Sequence, residues 1–178
     1  MVGHAVKTGR EYPRDDDTVR TRTPETVQKA RTYVLRLLEM RDRTTEELSR
    51  KMRSKGFAED VVLGVLEEMK SLGYLDDAKY ARHFAETRAT YQKFGPVRIR
   101  IELERRGIPR ELAADAVRQA FEGTGESETA LALAREWVAR RESSDEPASK
   151  RRLYGFLARR GFSSDVAERV IREVLGGG

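Results

Sequence analysis

The sequence contains no cysteine, which excludes disulfide bridges, cysteine-based zinc sites, iron–sulfur clusters and a thiol nucleophile. The two histidines, His4 and His83, are too few for a multi-histidine metal cage, so we expect neither a metal nor another cofactor. Apolar runs are short, as in Val61-Val62-Leu63, whereas a membrane span needs roughly 18 to 20 apolar residues. The N-terminal segment also lacks the apolar stretch of a secretory signal. We therefore expect a cytoplasmic protein that crosses no membrane.

Aromatic residues make up 7% and hydrophobic residues 38% of the 178 residues, so the chain can bury only a modest core. A large enzyme with a deep pocket is therefore not expected. The closest carboxylate pair, Asp76-Asp77, stands where a helix is predicted to begin, a position that acidic residues favour. Asp76 is accordingly predicted to be a helix cap. Because the sequence also lacks a phosphate-binding glycine loop and a hydrolytic triad, we predict that the protein is not an enzyme.

Charged residues are abundant, at 37% of the chain, and 35 Lys and Arg outnumber 30 Asp and Glu to give a formal net charge of +5. Between these charges, apolar residues recur at three- and four-residue spacing, and no segment keeps the two-residue alternation of a strand. The sequence thus predicts an all-α protein. The first 24 residues have few apolar side chains and include Asp15-Asp16-Asp17, so they are predicted to form a disordered tail.

Three segments of the sequence, residues 48–66, 99–117 and 153–171, share one pattern without gaps. Each has a helix with an apolar stripe, a glycine directly after its end, an apolar residue and a second striped helix. The glycine supplies the left-handed backbone conformation that closes a helix. The three predicted capping glycines are Gly56, Gly107 and Gly161.

A further amphipathic segment precedes each of these helix pairs, so the repeating unit has three helices. Three such units in tandem predict an elongated, curved body with a large surface relative to its core. The predicted divisions of the chain are a disordered tail over 1–24, three-helix repeats over 25–75, 76–121 and 122–175, and a flexible glycine tail over 176–178.

The second and third helices of each repeat form a helix-turn-helix-like pair, which allows a DNA-binding regulator as one interpretation. The third helices, however, are acidic or neutral in sum, and phosphate contacts need Lys and Arg. The middle helices of the second and third repeats are basic instead, with two arginines one heptad apart on one face of each. These predicted contact residues are Arg98 and Arg105 in the second repeat, and Arg152 and Arg159 in the third.

Three consecutive cations, Lys150-Arg151-Arg152, stand where the third middle helix is predicted to start, a position at which cations are unfavourable. Their placement favours a negatively charged partner, which could be an acidic protein groove or a phosphate backbone. Lys93, in the loop before the second middle helix, is predicted to belong to the same contact surface.

The sequence resembles the RecX family, whose members regulate the RecA recombinase. The resemblance is strong over residues 33–108 and extends through the repeats to about residue 175. Its motifs are specific in combination, although Arg106 stands where the family pattern usually has Lys. They include Arg41-x-Arg43-Thr44, Lys55-Gly56-Phe57, Gly73-Tyr74-Leu75-Asp76-Asp77, Gly95-x2-Arg98-Ile99 and Gly107-Ile108.

This resemblance implies three tandem three-helix repeats that bind within the helical groove of the RecA–DNA filament. There the protein would inhibit the RecA ATPase, strand-exchange and co-protease activities, and so modulate recombination, DNA repair and the SOS response. The implied partner is the RecA filament, with DNA contacted weakly or through the filament, and the expected form is a monomer. The competing hypothesis is a helix-turn-helix regulator that acts directly on DNA.

Overall fold

The computed structural model describes residues 22–123, 125–140 and 146–176, and within these ranges the chain forms nine helices and no strand. The all-α prediction is confirmed. The helices are α1 (Pro24–Met40), α2 (Thr45–Ser54), α3 (Glu59–Ser71), α4 (Asp77–Thr90), α5 (Pro96–Arg105), α6 (Arg110–Phe121), α7 (Glu126–Ala139), α8 (Glu146–Arg160) and α9 (Ser164–Leu175). Most of the predicted tail over 1–24 and of the glycine tail over 176–178 lies outside the described residues, and Pro24 already belongs to α1.

Several helix starts are fixed by side chains that accept hydrogen bonds from backbone amides. Thr44 Oγ1 accepts from the Glu47 amide at 3.1 Å, and Asp76 Oδ1 accepts from the Lys79 amide at 2.8 Å. Pro96 occupies the first turn of α5, where the N–H that it lacks would have no helical partner. These residues determine where α2, α4 and α5 begin, because a helix cannot pair its first amides internally.

The three middle helices end in the same way. Gly56, Gly107 and Gly161 have φ values of +95°, +84° and +90°. The residue after each glycine donates its amide to a carbonyl in the last helical turn, as Ile108 does to Leu103 at 3.1 Å. Because a side chain with a Cβ is strained at such φ values, glycine ends the helix and turns the chain into the third helix of the repeat.

Each repeat encloses its own hydrophobic core. The middle helix supplies the centre of that core, and the third helix packs against the first, as α6 does against α4. Burying one Leu or Ile side chain contributes about 1.5–3 kcal/mol, so these stripes account for much of each repeat's stability. The fully buried residues of the middle helices are Leu48 and Met52, Ile99 and Leu103, and Leu153 and Leu157.

The repeats join through the ends of their middle helices. The Gly95 amide at the start of α5 donates to the Arg160 carbonyl at the end of α8 at 2.8 Å. In the same way, Thr44 Oγ1 at the start of α2 donates to the Arg106 carbonyl at the end of α5 at 2.6 Å. Thus α8, α5 and α2 meet end to end, each C-terminus against the next N-terminus, which is the favourable direction for helix dipoles.

Candidate binding surface

Arg98, predicted as a contact residue, is largely engaged within the structure. Its guanidinium lies 3.7 Å from the centre of the Phe94 ring, and its Nε lies 3.0 Å from Glu102 Oε1. Its Nη1 also donates to the Arg159 carbonyl in the third repeat at 3.3 Å. Because these contacts come from both sides of the junction, Arg98 helps to hold the second repeat against the third.

Phe94 lies at the centre of this junction. Besides Arg98, the guanidinium carbons of Arg160 and Arg88 lie 5.6 Å and 5.8 Å from its ring centre. Arg160 Nη1 also donates to the Gln92 carbonyl at 2.7 Å, so an arginine of the third repeat reaches the loop before α5. A cation over an aromatic ring contributes about 0.5–2 kcal/mol. Part of the basic charge thus stabilises the packing of two repeats.

Most of the other predicted contact residues lie on the surface. Arg105 at the end of α5 is exposed, as are Arg151, Arg152 and Arg159 on α8. Lys93 is exposed as well, and its φ of +54° places it in a tight loop directly before Phe94. These side chains are available for contact with a partner.

The sequence placed Lys150-Arg151-Arg152 at a helix start, and this expectation is wrong. α8 already begins at Glu146, four residues before the predicted start, so the three cations occupy its second turn. Pro147 is tolerated in the first turn of a helix, and Lys150 Nζ pairs with Glu146 Oε1 at 2.5 Å. The helix-dipole argument for a negatively charged partner therefore does not apply to them.

A groove of about 630 Å³ lies between α8 and α9. Tyr154 and Ile171 give it an apolar floor, and the Tyr154 hydroxyl donates to Ser164 Oγ at 3.0 Å. Cationic side chains surround that floor. The full lining is Lys150, Arg151, Tyr154, Glu168, Ile171 and Arg172.

A second opening of about 630 Å³ lies where the first and second repeats meet. Every residue that lines this opening is charged, with six cations against two carboxylates, and we call it the basic cleft. Arg105 lines it from the α5 side. The lining residues are Arg41, Arg43, Glu47, Arg50, Lys51, Glu102, Arg105 and Arg106.

Glu47 connects the two sides of the basic cleft. Its Oε1 accepts from Arg106 Nη1 at 2.9 Å, while its Oε2 forms an ion pair with Arg41 Nη2 at 3.0 Å and has no hydrogen bond from the described residues. Arg106 Nη1 also donates to the Tyr80 hydroxyl at 3.1 Å. Burial raises the pKa of that hydroxyl, with Arg106 opposing the effect, so Tyr80 stays neutral at pH 7. Glu47 and Arg106 therefore fix the first repeat against the second.

Besides Arg106, which holds the junction, four cations of the basic cleft were not identified as contact residues from the sequence; they are Arg41, Arg43, Arg50 and Lys51. All belong to the first repeat, whose middle helix has Glu47 and Ser54 where the other two repeats have the heptad arginines. Arg41 and Arg43 do stand in the first motif of the family resemblance, which was the available signal. Only the folded junction brings them beside Arg105.

Within the described ranges, no three His, Asp or Glu side chains are grouped so that they could hold a metal ion. No helix there combines the length and the apolar character that spanning a bilayer requires. The pKa of Glu59 is lowered by its hydrogen bond from Arg53, a surface ion pair, and Tyr80 lies at a repeat junction. Perturbed pKa values thus coincide with ion pairs and junction contacts.

The fold and the surface together define a class, a tandem three-helix-repeat protein with basic surface clefts. Three models of one family match consecutive parts of this chain. The first three-helix domain of RecX matches residues 30–69, the second matches 76–117 and the third matches 125–171. The chain belongs to the RecX family.

Individual relatives agree with this assignment. Regulatory protein RecX of Mycobacterium sp. (strain JLS) is 35% identical over 158 residues, which cover 86% of each chain. Regulatory protein RecX of Amycolatopsis mediterranei (strain U-32) is 36% identical over 155 residues, covering 85% of this chain and 86% of the relative. The crystal structure of RecX from Lactobacillus salivarius shares the fold, with a TM-score of 0.77 at 23% identity over 85% of this chain and 98% of that chain. Family membership gives this protein a regulatory role and confirms the resemblance found in the sequence.

Proposed function

We propose that this protein is a non-enzymatic regulator that binds the RecA–DNA filament and inhibits the recombinase, ATPase and co-protease activities of RecA. The match of all three RecX domains along one chain carries the proposal. Acting as a monomer in the cytoplasm, the protein would modulate recombination, DNA repair and the SOS response.

The way in which the repeats are joined supports binding along a polymer. α8, α5 and α2 meet end to end, and each repeat keeps a separate core, so the three repeats follow one another in series. Such a series exposes more surface for its buried volume than a single compact core does. An extended surface of this kind suits a filament better than a small ligand.

The predicted contact residues divide into two groups under this proposal. Arg98 is proposed to act as a positioning residue, because its contacts with Phe94 and the Arg159 carbonyl set the third repeat against the second. The proposed direct contacts to the filament are the side chains that remain at the surface. They are Lys93, Arg105, Lys150, Arg151, Arg152 and Arg159.

Charge reversal on α8 tests the proposal. We expect the wild-type protein to co-sediment with preformed RecA–single-stranded-DNA filaments and to lower their ATPase rate. The double variant Arg152→Glu/Arg159→Glu should need about tenfold more protein for the same inhibition, since a loss of about 1.4 kcal/mol in binding is tenfold in affinity. The control Arg135→Glu/Arg140→Glu changes the charge equally on α7 and at its C-cap in the same repeat and should behave as the wild type.

Wild-type protein that neither co-sediments nor lowers the ATPase rate would contradict the proposed function. Equal losses in the two double variants would instead reject the assignment of contacts to α8. Tight, sequence-dependent binding to duplex DNA without RecA would favour the helix-turn-helix regulator. The exposed Glu59, Asp60 and Glu67 of α3 disfavour that alternative, because they would face the phosphates of a DNA groove.

A further inference from the structure

The basic cleft holds more positive charge than its own carboxylates neutralise. Both carboxylate oxygens of Glu102 already form ion pairs within the second repeat, with Arg98 Nε at 3.0 Å and with Arg88 Nε at 3.1 Å. Glu47 is shared between Arg41 and Arg106. The carboxylates that line the cleft are therefore already committed to structural ion pairs.

Three cations of the cleft have no carboxylate partner within the part of the chain that the structure describes. Arg50 pairs with Glu46 at 3.4 Å, whereas no carboxylate in the described part of the chain lies within 4.0 Å of Arg43, Lys51 or Arg105. Lys51 extends from α2 and Arg105 from the last turn of α5. The uncompensated charge thus comes from both repeats and meets in one opening.

Arg43 is the most informative of these cations, because it is only 9% exposed. Its Nε donates to the Leu37 carbonyl in the last turn of α1 at 3.1 Å, a contact that satisfies one donor and leaves the charge unmatched. A buried guanidinium is unfavourable unless an anion faces it. Arg43 lines the cleft, so an anion that enters there would compensate it.

The lining of the cleft indicates which kind of anion it accepts. The centres of protein–protein interfaces are depleted in charged residues and need apolar anchors, such as those that Tyr154 and Ile171 offer in the α8–α9 groove. Among the described residues, none that lines the basic cleft is apolar, and surfaces that bind DNA are polar and strongly positive. Guanidinium groups arriving from two sides also match the oxygens of a phosphate.

We propose that the basic cleft binds a backbone phosphate of a DNA strand, with Arg43, Lys51 and Arg105 as its ligands. This inference rests on the proposed function, since the filament would present that strand to the protein. It adds a DNA contact at the junction of the first and second repeats, separate from the α8 surface.

The experiment measures binding of a fluorescein-labelled oligothymidine by anisotropy, without RecA, across a range of salt concentrations. The variant Lys51→Ala/Arg105→Ala removes two exposed cations and leaves the buried Arg43 in place, and circular dichroism checks that it remains folded. Each phosphate contact on a single strand adds about 0.7 to the slope of log affinity against log salt. The variant should therefore lose about 1.4 from that slope. The ratio of wild-type to variant affinity should then be about 25-fold larger at ~0.1 M salt than at ~1 M salt.

The control Arg135→Ala/Arg140→Ala removes the same charge from the third repeat and should keep the wild-type slope. If the cleft variant also keeps the wild-type slope, or if both double variants lose the same amount, the phosphate site is refuted. A cleft variant that loses filament binding while its oligothymidine slope is unchanged also refutes it, because the cleft would then contact protein. Failure of the wild type to bind filaments would refute the proposed function alone, since the oligothymidine measurement contains no RecA.

Discussion

Replacing Gly161 with alanine tests the end-to-end junction between the second and third repeats. An added Cβ at this position would lie 2.3 Å from Arg98 Cβ and 2.6 Å from the Arg98 amide nitrogen. Real Cβ atoms do not approach other atoms this closely, so α5 or α8 must shift. The φ of +90° adds strain of its own, because an L side chain rarely adopts it.

The two costs can be estimated separately. Holding an alanine at positive φ costs about 1–2 kcal/mol. Forcing extra volume into a packed contact costs about 1–3 kcal/mol more. Gly73 has a φ of +76° but no atom within 4 Å of its ideal Cβ, so Gly73→Ala incurs only the first cost. We therefore expect Gly161→Ala to destabilise the protein by about 2–5 kcal/mol and Gly73→Ala by about 1–2 kcal/mol.

Urea denaturation measures both variants, with circular dichroism following all helices. Trp137, the sole tryptophan, is 8% exposed in the core of the third repeat, so its fluorescence reports the unfolding of that repeat. Gly155→Ala on the same helix is a further control, because its Cβ would meet only the mobile end of Arg159 at 3.2 Å. It should leave the Trp137 transition unchanged or move it to higher urea. If Gly161→Ala lowered the free energy of unfolding no more than Gly73→Ala does, the close contact between the end of α8 and the start of α5 would be refuted.

Two further predictions concern single positions. Gly64→Ala should stabilise the protein by about 0.5–1 kcal/mol in urea denaturation, because Gly64 lies inside α3, where alanine is the better helix former. The added Cβ would meet only Arg22 Nη2, at 3.7 Å, so a loss of stability would contradict the prediction that a methyl group fits at this position. Tyr80 has a pKa raised above its ordinary value of 10.0, so the stability it contributes is present below that pH and is lost as pH rises through the higher folded-state pKa. The free energy of unfolding should therefore fall less steeply in Tyr80→Phe than in the wild type between about pH 9 and about pH 12, and parallel curves would contradict this.

Much of the fold could be predicted from the sequence because its determinants are local. The apolar stripes of the middle helices and the glycine after each one depend on spacing within a single segment. Those stripes became the fully buried centres of three cores, as with Ile99 and Leu103. The predicted start of α8 at Lys150 was wrong because the helix extends back to Glu146, where Pro147 in the first turn and the Glu146–Lys150 pair favour it.

The junctions could not be predicted in the same way, since they depend on contacts between residues far apart in the chain. Arg98 and Arg152 occupy equivalent places in the repeat and are identical in type, yet Arg98 is half-buried against Phe94 and the end of α8 while Arg152 is exposed. The difference arises because another repeat follows the second one and packs on the start of its middle helix. The position of a repeat in the series therefore decides whether a basic residue holds the fold or faces outwards.

The same junctions determine the shape of the basic cleft. Arg106 donates to Glu47 through its side chain and accepts from Thr44 through its carbonyl, so one residue holds the end of α5 against the start of α2. Gly107 permits this approach, because a Cβ there would lie 2.2 Å from Glu46 Cβ. Since Lys51 and Arg105 extend from these two helices, the spacing of the proposed phosphate ligands depends on how closely the helices meet. In this protein the contacts that join the repeats and the charge proposed to bind DNA are therefore parts of one structure.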